Sequence, residues 1–145
     1  MSGFSTQLQL RIDWSEIDAF GHVNNLAILK YVQAARVQYL EAAGLMQSQA
    51  ENKTGPILAS TSCQFRKLLF YPGQVTVRSR VDGIKNTSFR IKYGVYNDRN
   101  EIAAEAEDII VIFDFRKNTK LAIPDELRER IEKLEKTKDG FALVT

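Results

Sequence analysis

The chain contains a single cysteine, Cys63, so no intrachain disulfide can form. The absence of a disulfide framework points to a reducing, cytoplasmic setting. Histidine is equally scarce: His22 is the only one in 145 residues. One His and one Cys cannot supply a typical zinc ligand set, so no metal is expected. No apolar run reaches the roughly 18 residues of a membrane-spanning helix. The opening MSGFSTQLQLRID lacks a basic stretch followed by an apolar one, so no secretory signal is visible. Charge is nearly balanced. A net charge of +2 is too small to argue for nucleic acid, although it allows a local basic patch for an anionic ligand. Neither an internal repeat nor a low-complexity tract is present.

What is present suffices for one ordinary domain. A hydrophobic fraction of 44% in 145 residues supports a real core. We expect a single domain over residues 1–145, with its body at 6–135 and a loose tail at 137–145. Leu8, Leu10 and Ile12 alternate with Gln9 and Arg11, which is a half-buried strand. Residues 24–43 read as a helix, rich in Ala and Leu and free of Gly and Pro. Gly44 is a natural stop, and Asn24 is a candidate N-cap, with Val23 and Asn25 as alternatives. Leu26, Ile28, Leu29, Tyr31, Val32, Ala35, Val37 and Leu40 leave only a narrow polar stripe of Lys30, Gln33, Gln38 and Glu41. Such a helix should be buried on most sides.

Residues 47–55 are polar and loop-like, and strand signals then follow in series. Residues 57–65 are mostly apolar or small. Val75, Val77, Ser79 and Val81 alternate with polar neighbours, as do Phe89, Ile91, Tyr93 and Val95. Residues 102–115 are the longest and most apolar run, expected at the sheet centre or across a dimer. Turn chemistry at Tyr71-Pro72-Gly73, Asp82-Gly83 and 97–100 implies antiparallel hairpins. A charged helix at 124–136 carries Leu127, Ile131 and Leu134 on one face, its charges toward solvent. The order is strand, long helix, four strands, short helix. An α+β fold follows, with one antiparallel sheet curled around a long central helix.

The most informative segment runs from Asp18 to Asn25, directly before the long helix. A helix start offers unpaired N–H groups and a positive dipole end. A carboxylate there can attack, or activate a water, beside a ready-made oxyanion site. The simpler reading of Asp18 is an Asx-turn. His22 either makes a structural hydrogen bond or orients the loop and polarises a substrate. Gly21 suits a positive φ or the close passage of a ligand, and equally a plain turn. Asn24 and Asn25 suit helix capping, so the chemically useful group at Asn25 is its backbone N–H. Ser60, Thr61 and Ser62 interrupt an apolar strand, either as small packing residues or as the lining of a substrate channel. Arg66 and Lys67 follow them as candidate phosphate ligands. Cys63, in an apolar run, reads as inert core.

Residues 14–25, W-S-E-I-D-A-F-G-H-V-N-N, followed by A-A-R-V-Q-Y-L at 34–40, carry a resemblance. Phe65, the Y-P-G-Q-V-T-V segment at 71–77, the F-D-F strand end and I-P-D-E-L at 123–127 extend it. The chain resembles the hotdog-fold acyl-CoA thioesterases, in the branch similar to 4-hydroxybenzoyl-CoA thioesterase, over roughly residues 6–135. The resemblance implies a hydrolase acting on a fatty or aromatic acyl-CoA, and a homodimer or homotetramer with active sites at the subunit interface. It places Asp18 as catalytic acid residue and the Asn25 N–H at the thioester carbonyl. It implies no cofactor beyond the coenzyme A carried by the substrate. Relatives often carry tyrosine or histidine where Asn25 stands, glutamate at Gln33 and tyrosine at Ile28. An acyl-carrier-protein thioesterase and a non-catalytic acyl-CoA-binding module are the competing readings.

Overall fold

Strand alternation decides which way the sheet faces. In the computed structural model, residues 3–46, 53–136 and 142–143 are described. The elements are β1 (Thr6–Arg11), α1 (Asn25–Ala42), β2 (Thr54–Phe65), β3 (Gln74–Ile84), β4 (Ser88–Tyr96) and β5 (Ile102–Asp114). β6 (Thr119–Lys120), α2 (Asp125–Glu135) and β7 (Ala142–Leu143) complete them. The sheet runs β2-β5-β4-β3-β1-β7, with β6 added to β5. Every pairing is antiparallel except that of β1 with β7.

One face of this sheet carries the alternating residues Val75, Val77, Phe89, Ile91, Tyr93, Val95, Ala104, Ala106 and Ile110, all buried. They form one cluster with Ala27, Ile28, Tyr31, Val32, Ala35 and Tyr39 of α1. Each fully buried Val, Ile or Phe contributes about 1.5–3 kcal/mol. The small Ala27, Ala35, Ala104 and Ala106 let helix and sheet approach closely. β5 lies between β2 and β4, the interior position expected for the most apolar run. The sheet wrapped on a long helix is the architecture expected from the sequence.

Several expectations need correction. α1 is not buried on most sides. Leu26 is 68% exposed, and Lys30 and Gln33 are exposed with it. A single sheet covers only one side of a helix, so the remaining apolar residues of α1 stay uncovered in one chain. Gln38, expected in the polar stripe, is buried and donates from Nε2 to the Gln7 carbonyl at 3.2 Å. β2 begins at Thr54, inside the stretch expected as loop, while residues 47–52 lie outside the described residues. Asp82-Gly83 is not a turn. It sits within β3 at a register shift between Val81 and Gly83, and the turn falls at 85–87. The Asp82 carboxylate is held there by Arg90 at 2.7 Å and Lys92 at 3.2 Å.

α2 docks through Leu127 and Ile131, both buried. Not all of its charges face solvent. Glu135 Oε2 accepts from Ser5 Oγ at 2.9 Å, Tyr39 O–H at 2.6 Å and the Val81 N–H at 3.0 Å. Of the expected tail, Ala142 and Leu143 pair with Thr6 and Gln7, and the other residues of 137–145 lie outside the described residues. No described helix is long and apolar enough to cross a membrane.

Candidate active site

The loop before α1 is built by short-range polar chemistry. Asp13 opens a 3-10 turn at Trp14–Glu16: its side chain accepts from Ser15, and the Glu16 side chain accepts the Asp13 N–H at 2.9 Å. This is a reciprocal capping box. The hydrogen bonds from Ser15 hold the Asp13 carboxyl below its ordinary range, with Arg11 adding to the effect. Glu16 then ties the turn to the helix. Its Oε1 accepts the Tyr31 O–H at 2.6 Å, and its carbonyl accepts both the N–H and the Nδ2 of Asn24 at 2.9 Å. Burial and the adjacent Glu16 carboxylate both push the Tyr31 hydroxyl up, so Tyr31 stays a donor. Asn24 in turn caps α1, its Oδ1 accepting the Ala27 N–H at 2.8 Å.

Between these anchors the chain makes a tight excursion that carries Asp18. A bridge pairs Ile17 with Val23, and the Asp18 N–H donates to the His22 carbonyl at 2.9 Å. Gly21 closes the excursion at φ +90°, a region that L side chains avoid. Space is not what demands glycine, since a Cβ there would meet nothing within 4 Å. The Val23 N–H anchors the far side to the Leu69 carbonyl at 2.8 Å.

Asp18 Oδ1 accepts the Phe20 N–H at 2.8 Å, the Asx-turn geometry. Its Oδ2 lies 3.7 Å from His22 Nδ1, beyond hydrogen-bond range. Both side chains are 27% exposed, so the carboxylate is reachable. His22 Nδ1 is buried and has no hydrogen-bond partner among the described residues. The Phe20 ring, 84% exposed, stacks on His22 at 6.4 Å. The Asn25 and Leu26 N–H groups begin α1, where no intrahelical acceptor exists. The first turn of α1 contains no acid, so its positive end is not offset from within. A carboxylate on a loop fastened to such an end can act on a carbonyl whose oxygen the N–H groups receive.

The loop that carries Asp18, Gly21 and His22 is thus tied, through Glu16 and Asn24, to the start of α1 at Asn25. The structure does not bring the β2 candidates into that group. Thr61 lines a groove of about 420 Å³ between β2 and the uncovered face of α1. Ser62 lies in a separate depression with Arg66, and Ser60, one residue before Thr61, is exposed. Arg66 pairs with Glu105 at 3.0 Å and Lys67 with Glu101 at 2.9 Å, all at the surface. Cys63 is half-buried, and burial pushes its thiol up. Among the described residues, no group of three His, Cys, Asp or Glu side chains is placed to hold a metal ion.

Sequence reasoning missed Glu16 and Tyr31. The D-x-x-E spacing of Asp13 and Glu16 was the available signal. It also missed the ion pair beneath α1. Arg36 Nε donates to Asp108 Oδ2 at 2.7 Å, and Tyr93 O–H donates to the same oxygen at 2.7 Å. Asp108 shares the inward parity of Ala104, Ala106 and Ile110, which marked it as a buried charge.

Comparison with known proteins agrees with this geometry. Residues 12–131 match the thioesterase-like superfamily. The chain is 22% identical over 131 residues to the long-chain acyl-CoA thioesterase FadM of Escherichia coli, covering 90% of this chain and 99% of that protein. A Thermus thermophilus thioesterase structure, solved with coenzyme A and zinc, superposes with a TM-score of 0.81 at 24% identity, covering 94% of this chain and 98% of that one. The DHNA-CoA thioesterase structure from Staphylococcus aureus superposes with a TM-score of 0.81 at 14% identity, covering 97% and 98%. With the sheet, the helix and the matched span all in place, the chain belongs to the thioesterase-like superfamily and is a thioester hydrolase on the hotdog fold.

Proposed function

We propose that this protein hydrolyses acyl-CoA thioesters to free acid and coenzyme A. Asp18 serves as general base to a water, or attacks directly to form a mixed anhydride. The Asn25 N–H, at the start of α1, receives the carbonyl oxygen as negative charge develops. The observation that carries this reading is the placement of a reachable Asp18 carboxylate on a loop fastened to an acid-free helix terminus. General-base assistance supplies about 10²–10⁴-fold in rate, and an oxyanion donor about 10²–10³-fold. His22 and Gly21 shape the loop, with His22 facing Asp18 and Gly21 supplying the left-handed bend.

The assembly is a homodimer, or a tetramer built from it, with active sites at the subunit interface. β2 supports this. It is a 12-residue edge strand, and residues 58–62 and 64–65 along it are exposed. Long unprotected edges are otherwise pairing hazards. A partner across β2 and the bare face of α1 covers both. Ser60 and Ser62, which share a strand face with Arg66, then line a channel for the pantetheine arm, and Arg66 and Lys67 reach the CoA phosphates by exchanging their glutamate partners. The single cysteine fits a cytoplasmic setting.

Either donor, coenzyme A or an acidic carrier protein, must displace carboxylates from the basic side chains of this surface. Arg66, Lys67, Arg90 and Lys92 each already face a carboxylate. The test is hydrolysis of matched acyl-CoA and acyl-carrier thioesters, read as free thiol, across short, long and aromatic acyl groups. Turnover of acyl-CoA is expected. Turnover of acyl-carrier thioesters alone, or tight acyl-CoA binding without turnover, contradicts the proposal.

A further inference from the structure

The uncovered face of α1 is not uniformly apolar. Leu26, Leu29, Lys30 and Arg36 follow one another along it and face Leu58 and Thr61 of β2 across the groove of about 420 Å³. The groove begins one residue past Asn25. From Leu26 to Arg36 is ten residues, so at 1.5 Å per residue it runs about 15 Å along the helix. Its near walls are leucine. Its lining holds two cations, Lys30 and Arg36, and no carboxylate among the described residues.

Arg36 is held unlike a surface arginine. Its side chain is only 16% exposed, and Nε is fixed to Asp108, which is fully buried. Tyr93 donates to the same carboxylate oxygen. Burying such a cluster is costly and is weak as a source of stability. It does immobilise the guanidinium. Asp108 and Tyr93 are its hydrogen-bond partners in the cluster, so the remaining guanidinium donors are held in a fixed orientation at the groove, where they suit a carboxylate.

We propose that the groove receives the acyl chain of the substrate and that Arg36, assisted by Lys30, binds a carboxylate at the far end of that chain. The preferred substrate class is then a thioester of a dicarboxylic acid. This rests on the thioesterase reading. An extended chain advances about 3.3–3.6 Å per three bonds, so a groove of this length takes roughly a dozen. Helical side chains lean toward the N-terminus, which brings Arg36 nearer and shortens that count somewhat.

The experiment compares kcat/KM for plain acyl-CoAs and for acyl-CoAs ending in a carboxylate, matched in chain length. The wild type is expected to favour the carboxylate-ended series at least about tenfold near the fitting length, as one charge-assisted hydrogen bond permits. The double variant Arg36→Met with Asp108→Asn removes the pair without stranding a buried charge. It should lower that preference by about 10–100-fold. Arg36→Lys keeps the charge opposite Asp108 but loses the remaining guanidinium donors, and serves if the double variant does not fold. It should lower the preference by about tenfold. Equal rates in the wild type, or a preference that neither variant changes, overturn the proposal. So does a variant whose only effect is weaker self-association in sedimentation, since Arg36 then serves a second copy of the chain. If no thioester of either class turns over, the thioesterase reading fails on its own. The affinities of the two series for wild type and Arg36→Lys then decide the groove by the same ratio.

Discussion

Replacing Asn24 tests whether the catalytic loop and the helix start are one mechanical unit. Asn24 makes three contacts that matter. Oδ1 caps the Ala27 N–H at 2.8 Å, Nδ2 donates to the Glu16 carbonyl at 2.9 Å, and its own N–H donates to that same carbonyl at 2.9 Å. Alanine keeps only the last. Loss of the cap costs about 1 kcal/mol, and loss of the Nδ2 bond about 0.5–1.5 kcal/mol. The Glu16 carbonyl keeps one donor, so no penalty for an orphaned acceptor is added. The expected destabilisation is about 1.5–2.5 kcal/mol. At about 2–4 °C per kcal/mol for domains near this size, Tm should fall by roughly 3–10 °C. Asn24→Asp separates the two contributions, because it keeps the capping oxygen and loses the donor. It should cost about half as much. Urea unfolding gives the stabilities, and acyl-CoA hydrolysis well below Tm should fall in both variants because Asp18 rides on the released loop. An alanine variant within about 0.5 kcal/mol of wild type, or an aspartate variant equal to alanine, refutes the reasoning.

Two further outcomes follow from the packing. Glu135→Ala removes the acceptor shared by Ser5, Tyr39 and the Val81 N–H, leaving the fully buried Tyr39 hydroxyl without it. Urea unfolding should show a loss of about 2–4 kcal/mol. Asp82 gives a pH signature. Burial raises its pKa, but the hydrogen bonds and charges of Arg90 and Lys92 outweigh burial and leave it lowered from 3.8. A folded pKa below the unfolded one adds stability above the unfolded value, and that stability is lost as pH falls through the folded value. Asp82→Asn should therefore be less stable than wild type near neutral pH, and the gap should close as pH drops below 3.8. A gap that stays constant with pH contradicts the assignment.

The fold was largely legible because its period-2 strands and its Gly-free, Pro-free helix agree with the tertiary structure. Asn24 and Gly44 mark the ends of α1 by local chemistry, and local chemistry survives folding. Asp82-Gly83 misled because a turn-forming pair was absorbed into a strand irregularity, held by charges on the neighbouring strand. The exposure of Leu26 was hidden for a different reason. Hydropathy reports that a face wants cover, not whether the same chain supplies it. In the site, Asp18, Gly21 and Asn25 were readable as a cluster because they are close in sequence. Parity marked Asp108 as buried, but its partner Arg36 is 72 residues away and reaches it only when α1 packs on the sheet, so no local spacing announced the pair.

The central claim is that the Asp18 charge does the chemistry rather than merely shaping its loop. Asp18→Asn separates these roles, because the amide oxygen can still accept the Phe20 N–H that Oδ1 accepts at 2.8 Å. The decisive measurement is kcat on the best acyl-CoA for wild type and Asp18→Asn, with circular dichroism and Tm matched. The account predicts a fall of about 10²–10⁴-fold with the fold intact. A variant that keeps wild-type kcat contradicts it and leaves Asp18 as a turn residue.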